Sequence, residues 1–313
     1  MTGDSIAPGV LRPIMPSTFV RTALPPTVSL AAGQGGLPTL TVANGQARAE
    51  IYLHGAHVTA WQPRGHGEVL WLSGKSQWQT AKPIRGGVPI CFPWFGPHAS
   101  DPSAPGHGFA RLVDWTLVEA RDDAGGATQL AFELPAPSPP PAAWPHACAA
   151  TFRVTVGSSL TMALEVSNPG PEPFTFEAAL HTYFAVQDVR AIAVHGLEGV
   201  DYLDKVGGAT RRTQGAEPIR FTGETDRVYL DTQATCTIED PGLHRRIVVR
   251  KSGSDATVVW NPWVAKAKAM PDYGDDEWPG MVCVETCNVN VHAVTLAPGG
   301  RHMLTATIDV ETA

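Results

Sequence analysis

Residues 178–186 read AALHTYFAV. Strand alternation places Ala178, Leu180, Thr182 and Phe184 on one face and Ala179, His181, Tyr183 and Ala185 on the other. Both faces are largely apolar, which predicts a strand covered on both sides, with one titratable imidazole in its middle. The stretch VCVETCNVNV, 282–291, repeats the pattern with a carboxylate. Glu285 shares its face with Cys283, Cys287, Val289 and Val291. A carboxylate buried without partners costs several kcal/mol or takes up a proton. Each residue therefore has two readings. His181 is either a hydrogen-bonded core residue or an acid/base group, and Glu285 is either part of a structural ion pair or kept for chemistry. Together, one imidazole and one carboxylate supply the two partners that a proton-transfer reaction needs.

Working outward, LTVANGQARAEIYL, 40–53, reads as strand, Asn44-Gly45 turn, strand. Short alternating runs continue at 57–62, 69–73, 109–120, 128–134, 151–156, 160–167, 174–186, 190–196, 227–230, 234–239, 245–250, 256–260, 281–291 and 302–310. Many short strands with turn signals between them predict an all-β protein built as a large antiparallel sandwich with very little helix. The best helix candidate is NPWVAKAKAM, with Asn261 as cap, Pro262 at the first helical position, and Trp263, Ala267 and Met270 on one stripe. Residues 1–36, with prolines at 8, 13, 16, 25 and 26, are expected to form an extended arm. A single domain is expected over 37–313. The Pro-rich stretch PAPSPPPAAWP, 135–145, reads as a surface loop within it, because the strand pattern resumes unchanged afterwards.

The formal net charge of −7 gives no global attraction to nucleic acid or to an anionic membrane, so an anionic ligand needs a local cluster of Arg or Lys. The five cysteines are scattered and lie mostly in apolar runs, as reduced core residues do in a reducing compartment. The N-terminus lacks secretory-signal features, and prolines interrupt the longest apolar stretch, near Leu134 to Phe152. A cytoplasmic protein is expected, acting as a monomer.

Three loops carry chemistry-bearing side chains. KPIRGGVPICFPWFGP, 82–97, has prolines at 83, 89, 93 and 97 and glycines at 86, 87 and 96, which exclude a helix. It reads either as turn punctuation or as a rigid loop in which Gly86 and Gly87 admit a ligand beside the planar fork of Arg85. GHGFARLVDW, 106–115, if extended, puts His107, Phe109 and Arg111 on one side, either as an ordinary strand entry or as an anion- or sugar-binding edge. In GETDRVY, 223–229, Glu224 and Asp226 share one side, and Asp is a good acceptor for sugar hydroxyls. His54, His57 and His66 lack zinc-site spacing, and Asp272, Asp275, Asp276 and Glu277 do not match a calcium loop. No phosphate-cradling glycine loop or Gly-x-Ser-x-Gly elbow is present.

RGGVPICFPWFG, HGFAR, ALHTYFAV, GLEGVDYLD, ETDRVY, VVWNPW and MVCVETCNV, in this order, resemble the glucose-6-phosphate 1-epimerases, or hexose-6-phosphate mutarotases, of the aldose 1-epimerase superfamily. The resemblance runs from about residue 37 to the C-terminus and implies a sandwich of the galactose-mutarotase type. It implies His181 and Glu285 as catalytic, Arg85, Arg111 and Asp226 as substrate-binding, and His107 as a second active-site histidine. It implies interconversion of the α and β anomers of a hexose 6-phosphate, with neither metal nor organic cofactor. The alternatives are a mutarotase for neutral aldoses and a sugar-phosphate-binding sandwich without catalysis. Many members carry Gln immediately before HG, where this chain has Gly106.

Overall fold

A computed structural model describes residues 18–136 and 142–313; residues 1–17 of the expected arm and 137–141 of the Pro-rich loop lie outside the described residues. Two eight-stranded antiparallel sheets carry the architecture. In the first, the strands run in the order Thr210–Thr213, Asp201–Asp204, Thr225–Tyr229, Ala256–Asn261, Met281–Asn288, Ala178–Leu180, Ile90–Cys91, and Tyr183–Ala185 also pairs with Met281–Asn288. In the second, the order is Ala193–His195, Cys236–Asp240, Arg245–Ser252, Arg301–Thr312, Leu160–Ser167, Ala149–Val156, Thr128–Glu133, Thr116–Asp122. A four-stranded meander, Val28–Ala32, Pro38–Ala43, Ala47–Tyr52 and His57–Pro63, joins the same hydrophobic core.

The two sheets bury their residues differently. Leu160–Ser167 alternates between buried and half-buried, as expected of a strand with one face to the core and one towards water. Met281–Asn288 and Ala256–Asn261 are buried at every position. The central strands of the first sheet are thus covered on both faces, the property read from AALHTYFAV.

Several expected strand limits are corrected. The sheets begin at Val28 rather than at Leu37; in VSLAA only Val28 is buried, so this edge strand carries little alternation. The 174–186 run is three strands rather than one, Phe174–Phe176, Ala178–Leu180 and Tyr183–Ala185. The 109–120 run is not extended throughout: Ala110–Leu112 is a 3-10 turn, and its strand begins at Thr116. Residues 69–73 make only isolated bridges, and Met281–Asn288 ends before a 3-10 turn at Asn290–His292. The Asn44 turn forms as expected, with its Oδ1 accepting from the N–H groups of Gln46 and Ala47. Among the described residues the one α-helix spans Trp263–Ala269, and Asn261 Oδ1 accepts the Trp263 N–H at its start.

The 85–91 segment packs along the open side of the histidine-bearing strand and is held from below by His57. The His57 ring is fully buried, and Nε2 donates to the Gly86 carbonyl at 2.7 Å. Gly86 and Gly87 have φ of 110° and 60°. A Cβ would meet the Trp71 carbonyl at 2.4 Å in the first case and the Val58 carbonyl at 2.4 Å in the second. Only glycine combines that conformation with so close a backbone approach.

Burial lowers the His57 pKa from 6.5 to about 3. The unfolded chain therefore binds a proton below pH 6.5 that the folded chain refuses until about pH 3. Stability contributed by neutral His57 is complete above 6.5 and falls by about 1.4 kcal/mol per pH unit as pH drops through that window. Urea unfolding between pH 7 and pH 4 is expected to show this slope, reduced by about one proton in His57→Asn. An identical slope in the variant would refute the assignment.

Candidate functional site

The break between Leu180 and Tyr183 creates the site. Leu180 pairs with Thr286 and Tyr183 with Cys283, so both pieces share one register and His181 stands opposite Glu285. At the break the His181 N–H leaves the ladder and donates to the Pro89 carbonyl at 3.1 Å, while Tyr183 N–H donates to Gly87. His181 Nε2 lies 3.3 Å from Glu285 Oε1. The His181 ring is 7% and Glu285 1% exposed. Their other polar atoms, His181 Nδ1 and Glu285 Oε2, are buried and have no hydrogen-bond partner among the described residues. Tyr183 stacks on the imidazole at 4.8 Å and 10°, and Trp260 meets it edge-on at 6.1 Å.

Both groups are pushed toward their uncharged forms. Burial first, then the charge of Asp226, raises Glu285 well above 4.5, with Lys205 and Arg111 opposing. Burial first, then His107, Arg111 and Arg85, holds His181 well below 6.5. A raised carboxylate is a stronger base and a lowered imidazolium a stronger acid than either is in water.

The pair faces a cavity of about 290 Å3. Arg85, His107, Lys205, Asp226, Trp260 and Lys266 line it, together with His181, Tyr183 and Glu285. A larger cleft of about 490 Å3 runs past Arg48, Arg64 and His66. It is lined by no buried acid/base pair, so the smaller one is the candidate site.

Arg85 is clamped: Nε and Nη2 donate to the Asp272 carboxylate at 3.0–3.2 Å and Nη1 donates to the Tyr183 hydroxyl at 3.0 Å. His107 is half-buried at the cavity wall with a φ of 63°, and its Nδ1 accepts the Gly96 N–H at 3.3 Å. That acceptor leaves Nε2 as the protonated nitrogen. Burial, with Arg111, Arg85 and Lys205, lowers its pKa to about 3, so His107 is a neutral donor. Asp226 is raised by burial, against the lowering charges of Lys205 and Lys266.

Arg111 departs from the expected arrangement. It does not line the cavity; it sits in the Ala110–Leu112 turn, 9% exposed, and its Nη2 donates to the Gly106 carbonyl at 2.8 Å. Its charge nevertheless acts on His181, His107 and Glu285. At Gly106 a Cβ would find only the Gly96 carbonyl, at 3.9 Å, so the position has room for a side chain.

Sequence reasoning missed Lys205 and Lys266. Lys205 follows GLEGVDYLD in a turn between two strands with almost no buried face. Lys266 is on the helix, where its Nζ lies 3.1 Å from Glu224 and 3.9 Å from Asp226. No apolar periodicity marks either residue.

His181, Cys283 and Glu285 offer ligand atoms all within 4.8 Å of one another. Burial raises the Cys283 thiol well above 9.0, which keeps it protonated and disfavours it as a ligand. Burial likewise raises Cys91 and Cys236 to about 12, and raises Cys287 as well. With Ellman's reagent the native protein should yield at most one fast thiol, that of half-buried Cys148, and five after guanidinium unfolding. Fast modification of Cys283 in the native state would contradict this burial.

The model of the aldose 1-epimerase family matches residues 38–308. A protein of Cenchrus ciliaris named "Putative glucose-6-phosphate 1-epimerase" is 39% identical over 260 residues, 80% of this chain and 78% of that one. A protein of the same name from Escherichia coli is 40% identical over 250 residues, 80% and 83% of the respective chains. The crystal structure of a putative mutarotase, YeaD, from Salmonella typhimurium superposes with a TM-score of 0.86 at 35% identity, covering 93% of this chain and 96% of its own. A galactose mutarotase-like protein from Lactobacillus casei shares the fold, with a TM-score of 0.66 at 17% identity.

Proposed function

The chain belongs to the aldose 1-epimerase family, and from that premise we propose that it interconverts the α and β anomers of a hexose 6-phosphate, with glucose 6-phosphate as the substrate. The observation that carries the reading is the buried pair, His181 Nε2 and Glu285 Oε1, 3.3 Å apart at a sugar-sized cavity. The reacting oxygens of a pyranose, the C1 hydroxyl and the ring oxygen, are bonded to the same carbon. An acid and a base must therefore stand side by side, as these do.

Ring opening begins with Glu285 as carboxylate and His181 as imidazolium. Glu285 takes the proton of the C1 hydroxyl, the bond from C1 to the ring oxygen breaks, and His181 protonates the ring oxygen. The products are an open-chain aldehyde and an uncharged pair. Rotation about C1–C2 presents the other aldehyde face. On closure His181 takes the proton back from the hydroxyl as its oxygen attacks C1, and Glu285 protonates the carbonyl oxygen. No proton, electron or water is consumed. Burial favours the uncharged pair, the form that accompanies the aldehyde, so it lowers that state relative to the ring forms.

The remaining residues are assigned around this axis. His107 offers its Nε2–H to a sugar hydroxyl and Asp226 accepts one. Arg85, with its fork fixed by Asp272 and Tyr183, orients the ring. Arg111 supplies positive charge from outside the cavity lining. The cations at the wall, Arg85, Lys205 and Lys266, favour an anionic sugar in a chain of net charge −7.

Two-dimensional exchange NMR on equilibrated glucose 6-phosphate tests the reading. The wild-type chain should accelerate anomer exchange, while Glu285→Gln and His181→Asn should each lose about 10²-fold or more. Calorimetric binding of glucose 6-phosphate should persist in Glu285→Gln. Binding without acceleration by the wild type would identify a sugar-phosphate-binding protein instead.

The active pair holds one proton in total. A second proton enters only when His181 ionises, well below 6.5, and the last leaves only when Glu285 ionises, above 4.5. Corrected for the substrate's own ionisation, the acid limb of kcat/KM should lie well below 6.5. An acid limb centred on 6.5 would contradict the lowered His181.

A further inference from the structure

We propose that Lys205 is the anion-binding group of the cavity and holds the 6-phosphate, an assignment that rests on the mutarotase reading and names the contact that makes the substrate a phosphomonoester. The other cations near the pair are already committed. Arg85 makes three hydrogen bonds to the Asp272 carboxylate through Nε and Nη2 and a fourth to Tyr183 through Nη1. Arg111 is buried against the Gly106 carbonyl and does not line the cavity. Lys266 is offset by Glu224 and Asp226.

Lys205 differs on each count. It lines the cavity, is exposed, and makes no ion pair among the described residues. Its backbone is nevertheless fixed, because its N–H donates to the Asp226 carbonyl at 2.8 Å. Its Nζ lies over the Phe95 ring, 5.6 Å from the centroid. The side chain therefore runs from beside the Asp226 strand to the Phe95 ring, and its ammonium has no carboxylate partner among the described residues. Its charge is felt at Glu285, His107 and Asp226, which places it within electrostatic reach of the reacting centre. The phosphate on C6 projects away from C1. With C1 at the buried pair, it meets a wall where an unpartnered ammonium can donate to its oxygens.

Lys205→Ala, Lys205→Glu and Lys205→Arg are to be compared with the wild type in two measurements: anomer exchange of glucose 6-phosphate, and calorimetric binding of inorganic phosphate. The expected result is a KM raised about tenfold or more in the Ala variant and further in Glu, with kcat within about threefold, as loss of one charge-assisted contact predicts. Phosphate affinity should fall in parallel, and Arg should restore most of both. A purely structural role would lower kcat or stability and leave phosphate binding unmoved. If the wild type accelerates exchange but KM and phosphate affinity are unchanged in the Ala and Glu variants, this assignment is overturned and the mutarotase reading stands. If the wild type accelerates no exchange, both are overturned.

Discussion

A carboxylate and an imidazole face each other across two neighbouring strands in a sheet that is buried on both sides, and most of the site's construction follows from that constraint. Leaving Glu285 alone in such surroundings would cost several kcal/mol or force it to take up a proton. Placing His181 opposite, in register, gives the carboxylate a partner without sealing the site, because the ladder opens for two residues at that point. The backbone groups released there are not orphaned. The N–H groups of His181 and Tyr183 are taken up by the 85–91 segment, which joins as a further strand at Ile90–Cys91 and supplies carbonyls at Pro89 and Gly87, while the Thr182 N–H donates to the Leu180 carbonyl.

That segment ties fold to site. Its two glycines let it lie against Trp71 and Val58, a buried neutral histidine holds it through the Gly86 carbonyl, and it delivers Arg85 to the cavity wall. Tyr183, two residues past His181, stacks on the imidazole, and its hydroxyl accepts a hydrogen bond from Arg85 Nη1. Position and orientation of the imidazole, the carboxylate, the arginine and the aromatic wall are thus set by the 85–91 segment and the neighbouring strands Ala178–Leu180, Tyr183–Ala185, Ala256–Asn261 and Met281–Asn288. Other charges that tune the pair arrive from elsewhere: Asp226 from the strand Thr225–Tyr229, Lys205 from the turn after Asp201–Asp204, Arg111 from a buried turn.

How much of this was legible depended on what each residue's neighbours in sequence revealed. His181 and Glu285 stood out because a polar side chain interrupts an apolar run on both faces of a strand, a contrast visible in the letters alone. Arg85 was visible because Pro and Gly exclude regular structure around it. The 106–115 stretch misled: as an extended strand it put His107 and Arg111 on one side, but positive φ at His107 and Gly108 turns the chain, sending the histidine to the cavity and the arginine beneath it. Lys205 and Lys266 gave no signal, since surface lysines are common and neither lies on an apolar stripe that would fix where its side chain points.

The sequence by itself determined the class of fold, many short antiparallel strands around a core covered on both sides, because hydrophobic alternation is a local property that survives without coordinates. It also singled out the two residues of the buried pair, because desolvation makes a charge in an apolar run conspicuous. Only the tertiary structure decided that they face each other, since register is fixed by pairing between segments about a hundred residues apart. It alone decided which cations remain unpaired at the cavity, because whether a lysine is free or neutralised depends on carboxylates brought to it by other strands.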